Sequence, residues 1–160
     1  MKLAEVLAVR ADIQTRMRQL LERATNVIRV QEGEEPAESP QDLLGEYDAL
    51  NEKLVRLIAM INDINNNTVL PGEDITVTQA IARRDGLQRE QQFYQLLADN
   101  ASERIDRYSR TEIKLVATYP VATLRQRADA AGKKFRQLDV QLQALNWSVD
   151  VPEDFSADWQ

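Results

Sequence analysis

Ser39-Pro40-Gln41-Asp42-Leu43-Leu44-Gly45-Glu46-Tyr47 opens the stretch that decides the fold, and Ile61-Asn62-Asp63-Ile64-Asn65-Asn66-Asn67 closes it. Ser39 has the side-chain oxygen of a helix N-cap, Pro40 suits the first helical position, and Asp42 favours the positive end of the helix dipole. Between these signals and the asparagine run, Leu43, Tyr47, Leu50, Leu54, Leu57, Ile61 and Ile64 recur at alternating steps of four and three residues, flanked by Leu44, Val55 and Ile58. That spacing draws a wide apolar face down one long helix, with the heptad-like period of a coiled coil. The Asn65 to Asn67 run is its stop.

Three further stretches carry the same period. Upstream, Leu3, Val6, Leu7, Ile13, Met17, Leu20 and Leu21 mark a helix from Lys2 to about Ala24, interrupted on its stripe by Arg10. Arg10 either lies at the stripe's edge with its head in water or meets a carboxylate of a neighbouring helix or subunit. Downstream, Pro71-Gly72-Glu73-Asp74 separates Val69-Leu70 from Ile75 and predicts a tight turn or very small hairpin. A third helix follows to about Ala101, with Thr76 and Gln79 at capping-box spacing. Its stripe is weak, because Arg84, Asp85, Gly86 and Gln91 fall among the apolar positions, so a polar seam is expected there. Pro120 opens a fourth helix striped by Leu124, Ala128, Ala131, Phe135, Leu138, Leu142 and Leu145.

Two segments leave the helical period. Val27, Ile28 and Val30 are β-branched and close together, and Ile113, Leu115 and Ala117 alternate, so short strands near 26–31 and 112–118 are expected to pair as a small β element. The fold class is therefore mainly α: an antiparallel four-helix bundle of long helices with that β element at one end. Residues 1–150 form a single helical-bundle domain, and residues 151–160 an acidic C-terminal tail. Two half-open helical hairpins that complete their cores against a second copy are the alternative.

Composition narrows the chemistry. The 160 residues include no histidine and no cysteine, which removes the commonest general base, Ser-His and Cys-His nucleophiles, and the imidazole and thiolate ligands of zinc. The five glycines Gly33, Gly45, Gly72, Gly86 and Gly132 are isolated, so no phosphate-binding loop is signalled. Glu32, Glu34, Glu35 and Glu38 form an exposed acidic loop without the EF-hand pattern. No cofactor or metal is expected, and the inventory leans against an enzyme without deciding it. A net charge of -6 repels polyanions, so nucleic acid is not an expected partner. The N-terminus lacks a signal-peptide pattern and no run reaches the roughly 18–20 apolar residues of a membrane span, so the cytoplasm is the expected location and a membrane is disfavoured.

The candidate site is the cation-rich run that contains Arg104, Arg107, Tyr108, Arg110 and Lys114. Its arginines either pair with Asp85, Asp106, Glu112 or a neighbouring chain, or clamp a small phosphate or carboxylate beside Tyr108. Arg10, Arg84 and Asp85 join them as interface or anionic-ligand candidates. A second basic group, Arg125, Arg127, Lys133, Lys134 and Arg136, reads as a solvated helix face or a contact for an acidic partner.

Lys2-Leu3-Ala4-Glu5, Arg10-Ala11-Asp12, the acidic loop from Val30 to Glu38, Ile61-Asn62 with Asn65, Asp106-Arg107-Tyr108-Ser109-Arg110 running into Glu112-Ile113-Lys114, and Leu145-Asn146-Trp147 together resemble the septicolysin-like family of small uncharacterised bacterial helical proteins. The resemblance spans the chain to about residue 150. It implies a helical fold, a bacterial cytoplasmic setting and, from the family's name, a membrane-active, cytolysin-like role. From the residues themselves the leading expectation is a non-enzymatic protein that self-associates into a homo-oligomer and acts through protein contacts. Binding of, or catalysis on, a small anionic ligand through residues 104–114 is the alternative.

Overall fold

The computed structural model describes residues 1–102 and 115–152. Four long helices account for most of them: α1 (Leu3–Val27), α2 (Pro40–Asn67), α3 (Val77–Ser102) and α4 (Val121–Ser148). The mainly α, four-helix expectation holds. The chain divides into two compact units, one of Met1–Thr68 with the segment from Leu145 onward, the other Val69–Ala144.

In the first unit α1 and α2 form an antiparallel hairpin. The capping signals work as their chemistry requires: the Asp42 amide donates to Ser39 Oγ at 3.3 Å, and Pro40 occupies the first turn. The Lys2 amide donates to Glu5 Oε2 at 2.6 Å, closing the first turn of α1. Two apolar clusters hold the hairpin. Leu3, Val6 and Ile13 of α1 meet Leu57 and Ile61 of α2, and nearer the connecting loop Leu20 and Val27 meet Leu43. Arg23 fastens the acidic loop to α1 through its Nε, which donates to both oxygens of Glu38 at 3.2 Å, and reaches Glu46 at 3.9 Å.

The C-terminal segment closes this unit. The Leu3 amide donates to the Val149 carbonyl and the Val151 amide to the Met1 carbonyl, each at 3.0 Å, while Lys2 Nζ lies 2.7 Å from Asp150. Val151 is buried in the same cluster as Leu3 and Val6.

The second unit opens with the expected small hairpin. Val69 and Thr76 form an isolated antiparallel bridge, the Leu70 amide donates to the Ile75 carbonyl at 2.9 Å, and the Glu73 amide donates to the Leu70 carbonyl at 3.1 Å. Pro71 and Gly72 occupy the two central positions, and Gly72 takes φ 82°, the left-handed value that a type II turn demands of its third residue. Leu70 is thereby fully buried. Thr76 and Gln79 form the reciprocal capping box, with the Thr76 amide donating to Gln79 Oε1 at 2.9 Å and the Gln79 amide to Thr76 Oγ1 at 3.3 Å. Helices α3 and α4 run antiparallel, and much of what they bury is small: Ala80, Ala98, Ala128 and Ala131, with Leu124, Leu138 and Leu142. Gln91 rests on Gly132, where a Cβ would fall 2.8 Å from its Nε2.

The expected β element near 26–31 and 112–118 is not formed by the described residues. Helix α1 continues through Asn26 and Val27, because Val27 stands seven residues after Leu20 on the same face and is buried with it against Leu43. Burial on the helical stripe outweighs the β preference of a branched side chain. Residues 28–31 and 115–118 carry no strand, and Leu115 and Val116 are 82% and 79% exposed, so their alternation buries nothing. Residues 112–114 lie outside the described residues.

Candidate functional site

The broad face expected of α2 is only partly covered. Leu43, Leu57 and Ile61 point into the hairpin and are buried, whereas Leu44 and Val55 are 52% and 61% exposed, with Tyr47 and Ile58 also exposed. At about 100° per residue, the exposed set lies roughly a quarter-turn away from the buried one. Helix α1 repeats the pattern: Ile13, Leu20 and Val27 are inside, while Leu21, 67% exposed, and Met17 turn toward the same flank. There they line a groove of about 360 Å³ with Ala24, Leu43, Leu44 and Tyr47. The first unit thus carries a second apolar stripe on its flank, longer than a scatter of single exposed residues.

Two polar groups frame this flank. Arg18 borders the groove on α1 and donates from Nη2 to Thr15 Oγ1 at 2.9 Å. Asp48 is exposed on α2, next in the chain to Tyr47 of the groove. Neither forms an ion pair with a described residue. Arg10, a candidate from the sequence, is half-buried on the same side of α1 and likewise has no carboxylate partner among the described residues.

The other sequence candidates fall elsewhere. Arg84 and Asp85 join an intra-unit pairing: Arg84 Nε and Nη2 donate to Asp85 Oδ1 at 3.0 and 2.9 Å, and Nη1 reaches Asp139 of α4 at 3.4 Å. This half-buried arginine ties α3 to α4 and is committed to that task. Arg104, Arg107, Tyr108, Arg110 and Lys114 lie outside the described residues. In the second basic group, Arg125 pairs with Asp99 at 3.6 Å and Arg127 lies over the Tyr94 ring at 4.2 Å, while Lys133, Lys134 and Arg136 are exposed. Tyr94, Leu97, Tyr119, Leu124 and Arg127 border a concavity of about 410 Å³ on the second unit.

Electrostatic shifts mark fastenings. Hydrogen bonding to Arg23 holds the Glu38 carboxyl below its ordinary value, and hydrogen bonding and charge from Lys2 do the same for Asp150. Among the described residues no group of three or more Asp, Glu, His or Cys is placed to hold a metal ion. None of their helices is long and apolar enough to cross a membrane.

Sequence reasoning missed the flank because it assigned Leu44, Val55 and Ile58 to one broad buried face. The available signal was the second series Leu44, Tyr47, Asn51, Val55, Ile58, whose own three- and four-residue steps outline a separate stripe.

Fold and surface together define an all-α protein built from helical hairpins, one of which displays an unpartnered apolar flank. Within that class the chain belongs to a family of unknown function, DUF6847, which it matches over residues 10–151. It is similar to a crystal structure described as a functionally unknown conserved protein from Corynebacterium diphtheriae, with 41% identity, 95% of this chain and 99% of that chain covered, and a TM-score of 0.89. No curated protein matches the chain. These matches overturn the septicolysin-like resemblance: the family matched over nearly the whole chain is DUF6847, and neither comparison carries a septicolysin link. The motifs that suggested it are short charged runs and common helical stripes, which similar surfaces and cores produce without a shared activity.

Proposed function

We propose that this is a cytoplasmic, non-enzymatic protein that self-associates and acts through protein contacts. The observation that carries the reading is the exposed flank of the first unit, where Leu21, Leu44, Tyr47, Val55 and Ile58 line up beside the buried stripes of their own helices. Contiguous apolar surface of this kind marks an interaction site, because leaving it in water forfeits the free energy its burial would release. A residue inventory without histidine or cysteine supports the non-enzymatic half of the reading.

Light scattering on a sizing column tests it. A defined oligomer is expected for the natural chain, and Leu21→Glu with Leu44→Glu is expected to give a folded monomer, since both side chains already face water. A natural chain that stays monomeric at every accessible concentration overturns the reading.

The concavity beside Tyr94 and Arg127 favours a second reading, a binder of a small anionic ligand. Its mainly apolar wall with one cation and two phenols suits a planar carboxylate or phosphate ester. A thermal-shift screen of such compounds is expected to find stabilisation that Arg127→Met abolishes. A flat response removes this reading.

A further inference from the structure

Resting on the self-association proposed above, the geometry points to its form: we propose that the flank of the first unit docks on the same flank of a second copy, about a two-fold axis parallel to the helices. The occupant is argued from charge. Arg18 stands on the outer rim of α1 and Asp48 on the outer rim of α2, each about 140–180° around its helix from the residues that face the hairpin partner. The antiparallel register, with Leu20 and Val27 packed against Leu43 and Leu50, puts the two within about one turn of each other along the hairpin. Within one copy they are on opposite edges of the flank, too far apart to meet. A two-fold axis between two such flanks lays α1 of one copy antiparallel on α2 of the other, and each Arg18 then faces Asp48 of the second copy. The flank is complementary to itself, which a two-fold interface requires. A partner of unrelated sequence has no reason to match both edges.

The dimensions agree. Helix α1 has 25 residues, so at 1.5 Å per residue the hairpin is roughly 37 Å long, and two helices are roughly 20 Å wide. The product, roughly 700 Å² per copy when the whole face of the hairpin is covered, approaches the 800 Å² or so that each partner contributes to a standard stable interface. Leu21, Leu44, Tyr47 and Val55 supply its apolar centre, and the paired first units become a four-helix bundle with ordinary ridge-and-groove packing.

The test uses Arg18→Asp and Asp48→Arg, separately and mixed, followed by light scattering and sedimentation at about 50 mM salt, where rim charges are least screened. Each variant alone sets like charges against each other at both edges and is expected to dissociate about tenfold more readily than the natural chain. Mixed, the two form a heterodimer in which both edges pair correctly, and association is expected to return to within about threefold of the natural value. Circular dichroism melts check that each variant folds. As a second readout, the chain has no cysteine, so Arg18→Cys with Asp48→Cys is expected to yield a covalent dimer on mild oxidation, whereas Arg18→Cys with Asp63→Cys, fifteen residues further along α2, is not. If the natural chain associates but the variants associate unchanged, or mixing rescues nothing and no cross-link forms, this geometry is overturned and self-association stands. A monomeric natural chain overturns both.

Discussion

Ser39, Gly72 and Asp150 show how much of the fold rests on single side chains. The Ser39 oxygen satisfies one of the four unpaired amides at the start of α2, and Ser39→Ala is expected to cost about 1 kcal/mol in chemical denaturation. Gly72→Val forces a branched residue into φ 82°, and a loss of about 1–3 kcal/mol is expected by the same measurement. Asp150 makes stability depend on pH with a definite sign. Lys2 lowers the carboxyl pKa in the folded state, so the contribution is complete above the unfolded carboxylate value and is lost as pH falls through the folded one. Denaturant midpoints measured from about pH 6 to about pH 3 are therefore expected to fall less steeply for Asp150→Asn than for the natural chain. Glu38 follows the same sign through Arg23.

Helices explain which parts of the sequence were legible. A seven-residue repeat of Leu, Ile and Val identifies a helix because only a 3.6-residue period gathers those side chains on one face, and the extent of α2 and the start of α4 were readable to within a residue or two with the help of their capping signals. The end of α1 was misplaced because residues 26–30 carry strand preference locally, while burial of Val27 is decided by Leu43 sixteen residues away. Core and flank differ in what their loss does. Leu57 is fully buried, and Leu57→Ala is expected to destabilise by roughly 2–5 kcal/mol. Val55 is two residues away, and Val55→Ala is expected to change stability of the monomer by less than about 0.5 kcal/mol while weakening association. Denaturation at low protein concentration, compared with sizing at high concentration, separates the two.

At the scale of the molecule, the residue inventory and periodicity were enough to establish a mainly α chain of four long helices, because those properties depend on local spacing and on side-chain chemistry alone. Periodicity also places apolar residues on a helix without saying which neighbour covers them. Leu43 and Leu44 are adjacent and chemically identical, yet one is buried and the other half in water. That choice is made by the direction from which α1 approaches α2, and with it the existence of a free flank, the rim positions of Arg18 and Asp48, and the commitment of Arg84 to Asp139. The closing contact of Val151 with Met1 belongs to the same class, since residues 150 positions apart in the chain meet only once the helices have packed. Sequence determined the elements through local periodicity; tertiary structure decided the surface, because exposure is a property of how those elements pack in space.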